Sequence, residues 1–281
     1  MILRLKRHPI DLSLKTCVMG ILNVTPDSFS DGGRFFDRTM AIDQALAMES
    51  AGADIIDIGG ESTRPGAEAV SYDEELRRTI PVIEAIAQSV SIPISIDTYK
   101  ADVARKALEA GAEIINDISG LRFDGAMASV AAHYDAAVII MHIKGTPKDM
   151  QINPVYEDIF SEIEAYFNKS IETALAAGVK KDMIVLDPGI GFGKTIDHNL
   201  QIIGNLGRFK GLGHPILIGA SRKAFIGKIL GDVPVDKRLM GTAAMVSASI
   251  LNGADIVRVH DVSEMSEVAR ASFALRGAVQ P

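Results

Sequence analysis

Asp97, Asn116, Asp187, Lys223, Arg258 and His260 lie far apart in the chain but share one local setting. Each ends or closely follows a compact apolar run. Asn23, Asp57, Glu61, Thr63, Arg64, Asp117, His142, Ser221 and Arg222 occupy the same kind of position. An Asp or Asn attached to an apolar strand is costly to bury unless a partner satisfies it. Capping the following helix would account for any one of these acids or amides taken alone. It does not account for Lys223 and Arg258, because the helix macrodipole disfavours cations at an N-terminus. Together the residues read as the mixed-charge mouth of an active site, with acids beside a local cationic pocket.

Two segments of this set are dense in glycine, proline and hydrogen-bonding side chains: 23–33 (NVTPDSFSDGG) and 59–66 (GGESTRPG). On a rigid scaffold such loops suit a lid that closes over substrate. Other motifs carry less. The stretch GIGFGKT (189–195) has one residue too few between its first glycine and Gly-Lys for a phosphate loop. GASRK (219–223) lacks the second glycine of a nucleophile elbow. No HExxH or cysteine cluster supports zinc. His8, His133, His198 and His214 read as surface or packing residues.

The elements that must position the rim residues follow from the apolar pattern. Compact, largely β-branched runs without alternation fall at 16–22, 54–58, 92–96, 113–115, 136–141, 183–186, 215–218 and 255–259. Strands covered on both faces have this character. Amphipathic helical patterns lie at 38–51, 71–89, 99–110, 124–134, 155–177, 196–206, 237–251 and 262–275. Helix-stop glycines follow several of them, at Gly52, Gly111, Gly178 and Gly253. An uninterrupted strand–helix alternation of this kind predicts α/β architecture, a single (β/α)8 TIM barrel over 1–281, in preference to an open doubly wound sheet. In such a barrel, residues at the carboxyl ends of the strands carry the chemistry. Alternation in Leu3-Arg4-Leu5-Lys6 and Leu12-Ser13-Leu14-Lys15 predicts a short hairpin within 1–15 that closes the barrel bottom.

The 281 residues are 47% hydrophobic and 23% charged, an ordinary globular composition. With 36 acidic and 29 basic residues the net charge is −7, which disfavours broad nucleic-acid or anionic-membrane binding. Cys17 is the single cysteine and suits a reducing compartment. No secretory leader and no apolar run near the ~20 residues of a membrane span is present, so a soluble cytoplasmic protein is expected.

Seven strings resemble the signature segments of dihydropteroate synthases, the pterin-binding enzyme family. They are GILNVTPDSFSDGG (20–33), IDIGGESTRPGA (56–67), SIDTYK (95–100), INDISG (115–120), DPGIGFGK (187–194), GASRKAFIG (219–227) and RVHDV (258–262). They occur in the family's order and cover the chain from about residue 16 onward. At strand five, MHIKGTP places Ile143 where the family commonly has a polar residue.

The resemblance implies a transferase of folate biosynthesis and a sulfonamide target. In its reaction the amine of p-aminobenzoate displaces pyrophosphate from 6-hydroxymethyl-7,8-dihydropterin diphosphate, giving 7,8-dihydropteroate. By resemblance, Asp97, Asn116, Met141, Asp187, Lys223 and Arg258 bind the pterin. Asn23, Thr63, Arg64, Arg258 and His260 match the diphosphate positions, with Asn23 also on Mg2+. Thr25, Pro26, Phe29, Thr63, Arg64, Pro65, Phe192, Ser221 and Lys223 match the p-aminobenzoate pocket. Asp97, Asp187, Lys223 and Arg258 are the expected catalytic groups. The resemblance also implies a homodimer through helices of the last barrel units. Three other readings compete: a pterin-binding methyltransferase, a Schiff-base aldolase using Lys223, and a non-catalytic pterin binder. The diphosphate-suited loops argue against the first, and the cationic cluster argues against the last.

Overall fold

Burial on both faces, which the unalternated apolar runs require, comes from a parallel sheet wrapped inside helices. A computed structural model describes residues 1–24, 33–64 and 66–279. Two short strands, β1 (Ile2–Leu3) and β2 (Ile10–Asp11), pair antiparallel. Then follow β3 (Cys17–Asn23), α1 (Gly33–Ser50), β4 (Ile55–Gly59), α2 (Tyr72–Ile86), β5 (Ile94–Asp97), α3 (Ala101–Ala110), β6 (Ile114–Asp117) and α4 (Met127–Tyr134). The second half runs β7 (Ala137–Met141), α5 (Ile159–Ala177), β8 (Ile184–Asp187), α6 (Ile196–Gly204), β9 (Leu217–Ile218), α7 (Ala224–Ile229), α8 (Leu239–Leu251), β10 (Ile256–Val259) and α9 (Val262–Val279).

The eight-stranded sheet has the order β8-β7-β6-β5-β4-β3-β10-β9, parallel throughout. A bridge between Leu186 and Ile216 joins its two ends, so the sheet closes as a TIM barrel. Every residue of β4 through β8 is buried. Ile55, Ile56, Ile58 and Ile96 are wholly so. At about 1.5–3 kcal/mol for each such side chain, strand burial is the main stabilising contribution.

Register decides which side chains share the rim. Asn23 pairs with Gly59, Gly59 with Asp97, and Asp97 with Asn116, so these four form one row across β3 to β6. Met141 pairs with Asp187 in the next part of the barrel. Arg258 pairs with Met19, four residues before Asn23 on β3, and has to reach up to the row from below.

The N-terminal hairpin lies at the opposite end. The Arg4 N–H donates to the Asp182 carbonyl at 2.9 Å, just before β8, and the Arg7 N–H donates to Glu113 at 2.6 Å, just before β6. Its pairing corrects the alternation reading. The second strand is Ile10–Asp11, and Leu14 is 73% exposed while Leu12 is buried. The Asp11 carboxylate accepts from both the N–H and the hydroxyl of Ser13, turning the chain before 12–15 can extend. The helix α7 is a further addition: a short turn between strand seven of the barrel and its main helix, α8. Among the described residues no helix is long and apolar enough to cross a membrane.

Candidate active site

Asp57 is the hub of the barrel mouth. It sits mid-strand on β4, fully buried, and its Oδ2 accepts from Arg258 Nε at 2.6 Å and from Asn116 Nδ2 at 3.0 Å. Arg258 continues to Asp97, with Nη2 2.7 Å from Oδ2. One guanidinium thus ties three strands together, and Asp57 and Asp97 more than offset the burial that would lower its pKa. Among the described residues, Asp97 Oδ1 and Asp57 Oδ1 are buried without a hydrogen-bond partner. Burial pushes the Asp97 carboxyl up to about 7, against the pull of Arg258, while Asp57, Glu75 and Asp117 add to the rise. A buried acceptor without a donor is costly, and a donor on a bound molecule would relieve that cost at Asp97.

Asp187 and Lys223 form the adjoining wall. Asp187 Oδ1 accepts the Gly189 N–H at 2.7 Å. Burial raises its pKa, opposed by that bond and by Lys223, Lys194 and Arg258. The loop beyond Asp187 turns on left-handed glycines. Gly189 has φ +69, and a Cβ there would strike the His142 carbonyl oxygen. Gly191 has φ +82, and a Cβ there would lie 3.0 Å from Lys223 Cδ. Only glycine lets this loop pass so close to the lysine. Lys223 Nζ donates to the Ile190 carbonyl and stands 4.4 Å from the centre of the Phe192 ring. Burial brings its ammonium down to about 8, with Asp187 and Asp97 opposing and Arg258 reinforcing the shift.

A third cluster joins the ends of β9 and β10. Ser221 Oγ lies 3.0 Å from His260 Nδ1 and accepts the His260 N–H at 3.1 Å. His260 is held down to about 4, by burial first and then by Arg258 and Arg222, with Arg64 contributing. Arg64 itself is exposed and Thr63 is half-buried, in the loop after β4. Asn23 faces the same gap as Asp97: a Cβ on Gly59 would lie 3.8 Å from Asn23 Oδ1 and 3.6 Å from Asp97 Cβ. Thus Asn23, Asp97, Asn116, Asp187, Lys223, Arg258, His260 and Ser221 converge on one rim, with Phe192 against Lys223. Thr25, Pro26, Phe29 and Pro65 lie outside the described residues.

The pterin-binding enzyme family model matches residues 19–260. A dihydropteroate synthase of Synechocystis is 51% identical over 94% of this chain and 92% of its own length. The chain belongs to the dihydropteroate synthases. Among solved structures, the dihydropteroate synthase of Clostridium difficile in the presence of pteroic acid superposes with a TM-score of 0.89 at 53% identity, covering 95% of this chain and 98% of that one. That of Xanthomonas albilineans with 4-aminobenzoic acid gives a TM-score of 0.91 at 39% identity over the whole of both chains.

Membership among these transferases sets aside the methyltransferase, aldolase and non-catalytic readings. Several local placements in this barrel depart from what position in the sequence implies. Asp117 turns its carboxylate back onto its own loop, accepting from Ser119 N at 2.7 Å and Leu121 N at 2.9 Å, so a local structural role claims it. Met141 and Ile143 are buried in an apolar cluster with Ile118 and Met150, against Tyr99 and Phe192. Ile143 therefore packs where a polar side chain would have needed a partner. Asp57 was legible as a rim residue yet carried no assigned role. Its signal is a carboxylate inside the run Ile55-Ile-Asp-Ile58, where burial demands a cation. Lys194 carries no such signal, and His142 is legible only as a residue that follows the fifth apolar run. They are buried together, Nζ to Nδ1 2.9 Å, with Nζ also donating to the Phe192 carbonyl at 3.0 Å. Burial first, and neighbouring cations second, hold the His142 pKa well below its ordinary value.

Proposed function

We propose that this chain condenses p-aminobenzoate with 6-hydroxymethyl-7,8-dihydropterin diphosphate to give 7,8-dihydropteroate and pyrophosphate. The single observation that carries the assignment of roles is the Asp97 Oδ1, which has no partner among the described residues, beside the Arg258-linked acids. A pterin edge offers an amino group and a ring N–H to carboxylates, and a carbonyl to ammonium or amide donors. Asp97 and Asp187 accept from the pterin, while Asn116 and Lys223 donate to it. Met141 and Arg258 pack on the ring. The C–O bond to the diphosphate breaks ahead of attack, and the two carboxylates stabilise the cationic methylene left behind. Arg258, His260, Thr63, Arg64 and Asn23 bind the departing diphosphate. The neutral aniline-type amine then adds through its lone pair, and the resulting ammonium sheds its proton to water, so no strong base is needed. Its pocket draws on Thr63, Arg64, Phe192, Ser221 and Lys223; the other residues that the resemblance implies for it, Thr25, Pro26, Phe29 and Pro65, lie outside the described residues.

Mg2+ suits this arrangement. Asn23 offers a neutral amide oxygen at the rim, and among the described residues no group of three or more His, Cys, Asp or Glu forms a cage. Mg2+ characteristically takes one or two protein oxygens and fills its shell with phosphate and water. When bound, it would offset charge on the leaving diphosphate. The proposal extends to a homodimer through α8 and α9, whose Met240, Leu251 and Leu275 are exposed, and to a cytoplasmic location, consistent with the free, buried Cys17.

A steady-state assay of pyrophosphate release tests the reading. Release is expected only when the pterin diphosphate, p-aminobenzoate and Mg2+ are all present. Release without p-aminobenzoate at the same rate, or full activity in excess chelator, overturns the corresponding part.

The pH profile gives a second expectation. Asp97 must be ionised to accept, so activity is present above about 7 and lost as pH falls through it. Lys223 must be protonated to donate, so activity is lost as pH rises through about 8. A narrow bell in kcat/KM results, because that parameter reports the free enzyme. Lys223→Arg removes the alkaline limb and leaves the acid one. A flat profile across both limbs contradicts these roles.

A further inference from the structure

Arg222 is a non-glycine residue in the left-handed region, at φ +55, between Ser221 and Lys223. Such a conformation persists only where the surroundings over-determine it, and it tends to mark functional sites. Here both the backbone and the side chain of the residue are held. Its guanidinium grips Asp261 in two-pronged fashion, Nε to Oδ2 at 2.9 Å and Nη2 to Oδ1. Its N–H donates to Thr242 Oγ1 at 3.0 Å, and its carbonyl accepts from Arg238 Nη1 at 2.9 Å. Thr242 is fully buried on α8. Asp261 directly follows His260, so the pair spans the loops after β9 and β10. The flanking Ser221–His260 contact spans the same gap. Arg222 and Asp261 spend their charges on each other.

We infer that Arg222 and Asp261 form a positioning clamp, which locks Ser221 and Lys223 in register with Arg258 and His260 so that the mouth acts as one preorganised unit. The inference rests on the reaction proposed above. Planar two-pronged pairing fixes orientation as well as distance, a property lysine lacks. A displacement of about 1 Å in such a group costs about 100-fold in rate.

The test is a double-substitution cycle on the full-length enzyme with Arg222→Gly, Asp261→Asn and the pair combined. Glycine takes φ +55 without strain, so the fold survives the first change. Each single variant is expected to lose about 10- to 100-fold in kcat/KM for the pterin diphosphate, with a near-unchanged thermal midpoint. The combined variant is expected to be no worse than either single one, since the clamp is already open. Arg222→Lys is expected to recover little. The alkaline limb of the profile also moves in Arg222→Gly, because Lys223 is no longer fixed against Asp187, Asp97, Arg258, the Ile190 carbonyl and the Phe192 ring. Multiplicative losses, wild-type kcat/KM in Arg222→Gly, full rescue by lysine, or an unmoved alkaline limb each overturn the clamp. An inactive wild-type enzyme instead overturns the proposed reaction, which separates the two failures.

Discussion

Asp97→Ala lowers kcat/KM by about 1,000-fold or more, near 4 kcal/mol of transition-state stabilisation. The size follows from what the carboxylate does in the buried mouth. Its Oδ2 takes Arg258 Nη2 at 2.7 Å, and its Oδ1 faces no donor among the described residues. A substrate N–H placed there gains a charged, desolvated acceptor; in the alanine variant the same N–H enters the site unpaired. The fold survives, because Arg258 keeps Asp57 at 2.6 Å as its other anchor. Asp97→Asn falls between the two, as an amide oxygen accepts with less charge. Steady-state kinetics beside a denaturation curve checks this, and wild-type kcat/KM in the alanine variant would falsify the role.

Lys223→Met is expected to remove activity on the same scale while leaving the protein as stable as before, or more so. Folding penalises the charged form of this lysine, whose ammonium drops to about 8 because burial strips it of water. Methionine fills similar space and lifts that penalty. Function is therefore held at a cost in stability, as is common at active sites. On the proposed role, in which the ammonium donates to the ring, the loss appears both in turnover and in pterin affinity, and the field that Lys223 exerts on Asp187 is lost with it. Calorimetry with the pterin and a thermal melt on the same sample decide it. Tight pterin binding by the variant, or a marked drop in its melting midpoint, counts against this account.

Both predictions depend on groups that the sequence pattern alone marks out. Local pattern sufficed for the eight apolar runs, the intervening helices and the residues just past each run, because burial on two faces and helix amphipathicity leave a signature in neighbouring positions. The short hairpin was legible as an element but not in its register. There the Asp11–Ser13 hydrogen bonds outweighed the alternation of Leu12 and Leu14.

What only the tertiary structure decided are the pairings across the barrel. Arg258 meets Asp57 across 201 positions and Asp97 across 161, distances at which no sequence period connects two side chains. Asp117 and Asp187 look alike at the ends of their strands, yet one is consumed by its own loop while the other faces Lys223. The Lys194–His142 pair and the Arg222–Asp261 clamp depend likewise on how separate loops pack. Composition and periodicity report which face of an element is apolar. Partner choice among charges depends on register, stagger and closure, which exist only once the strands have met.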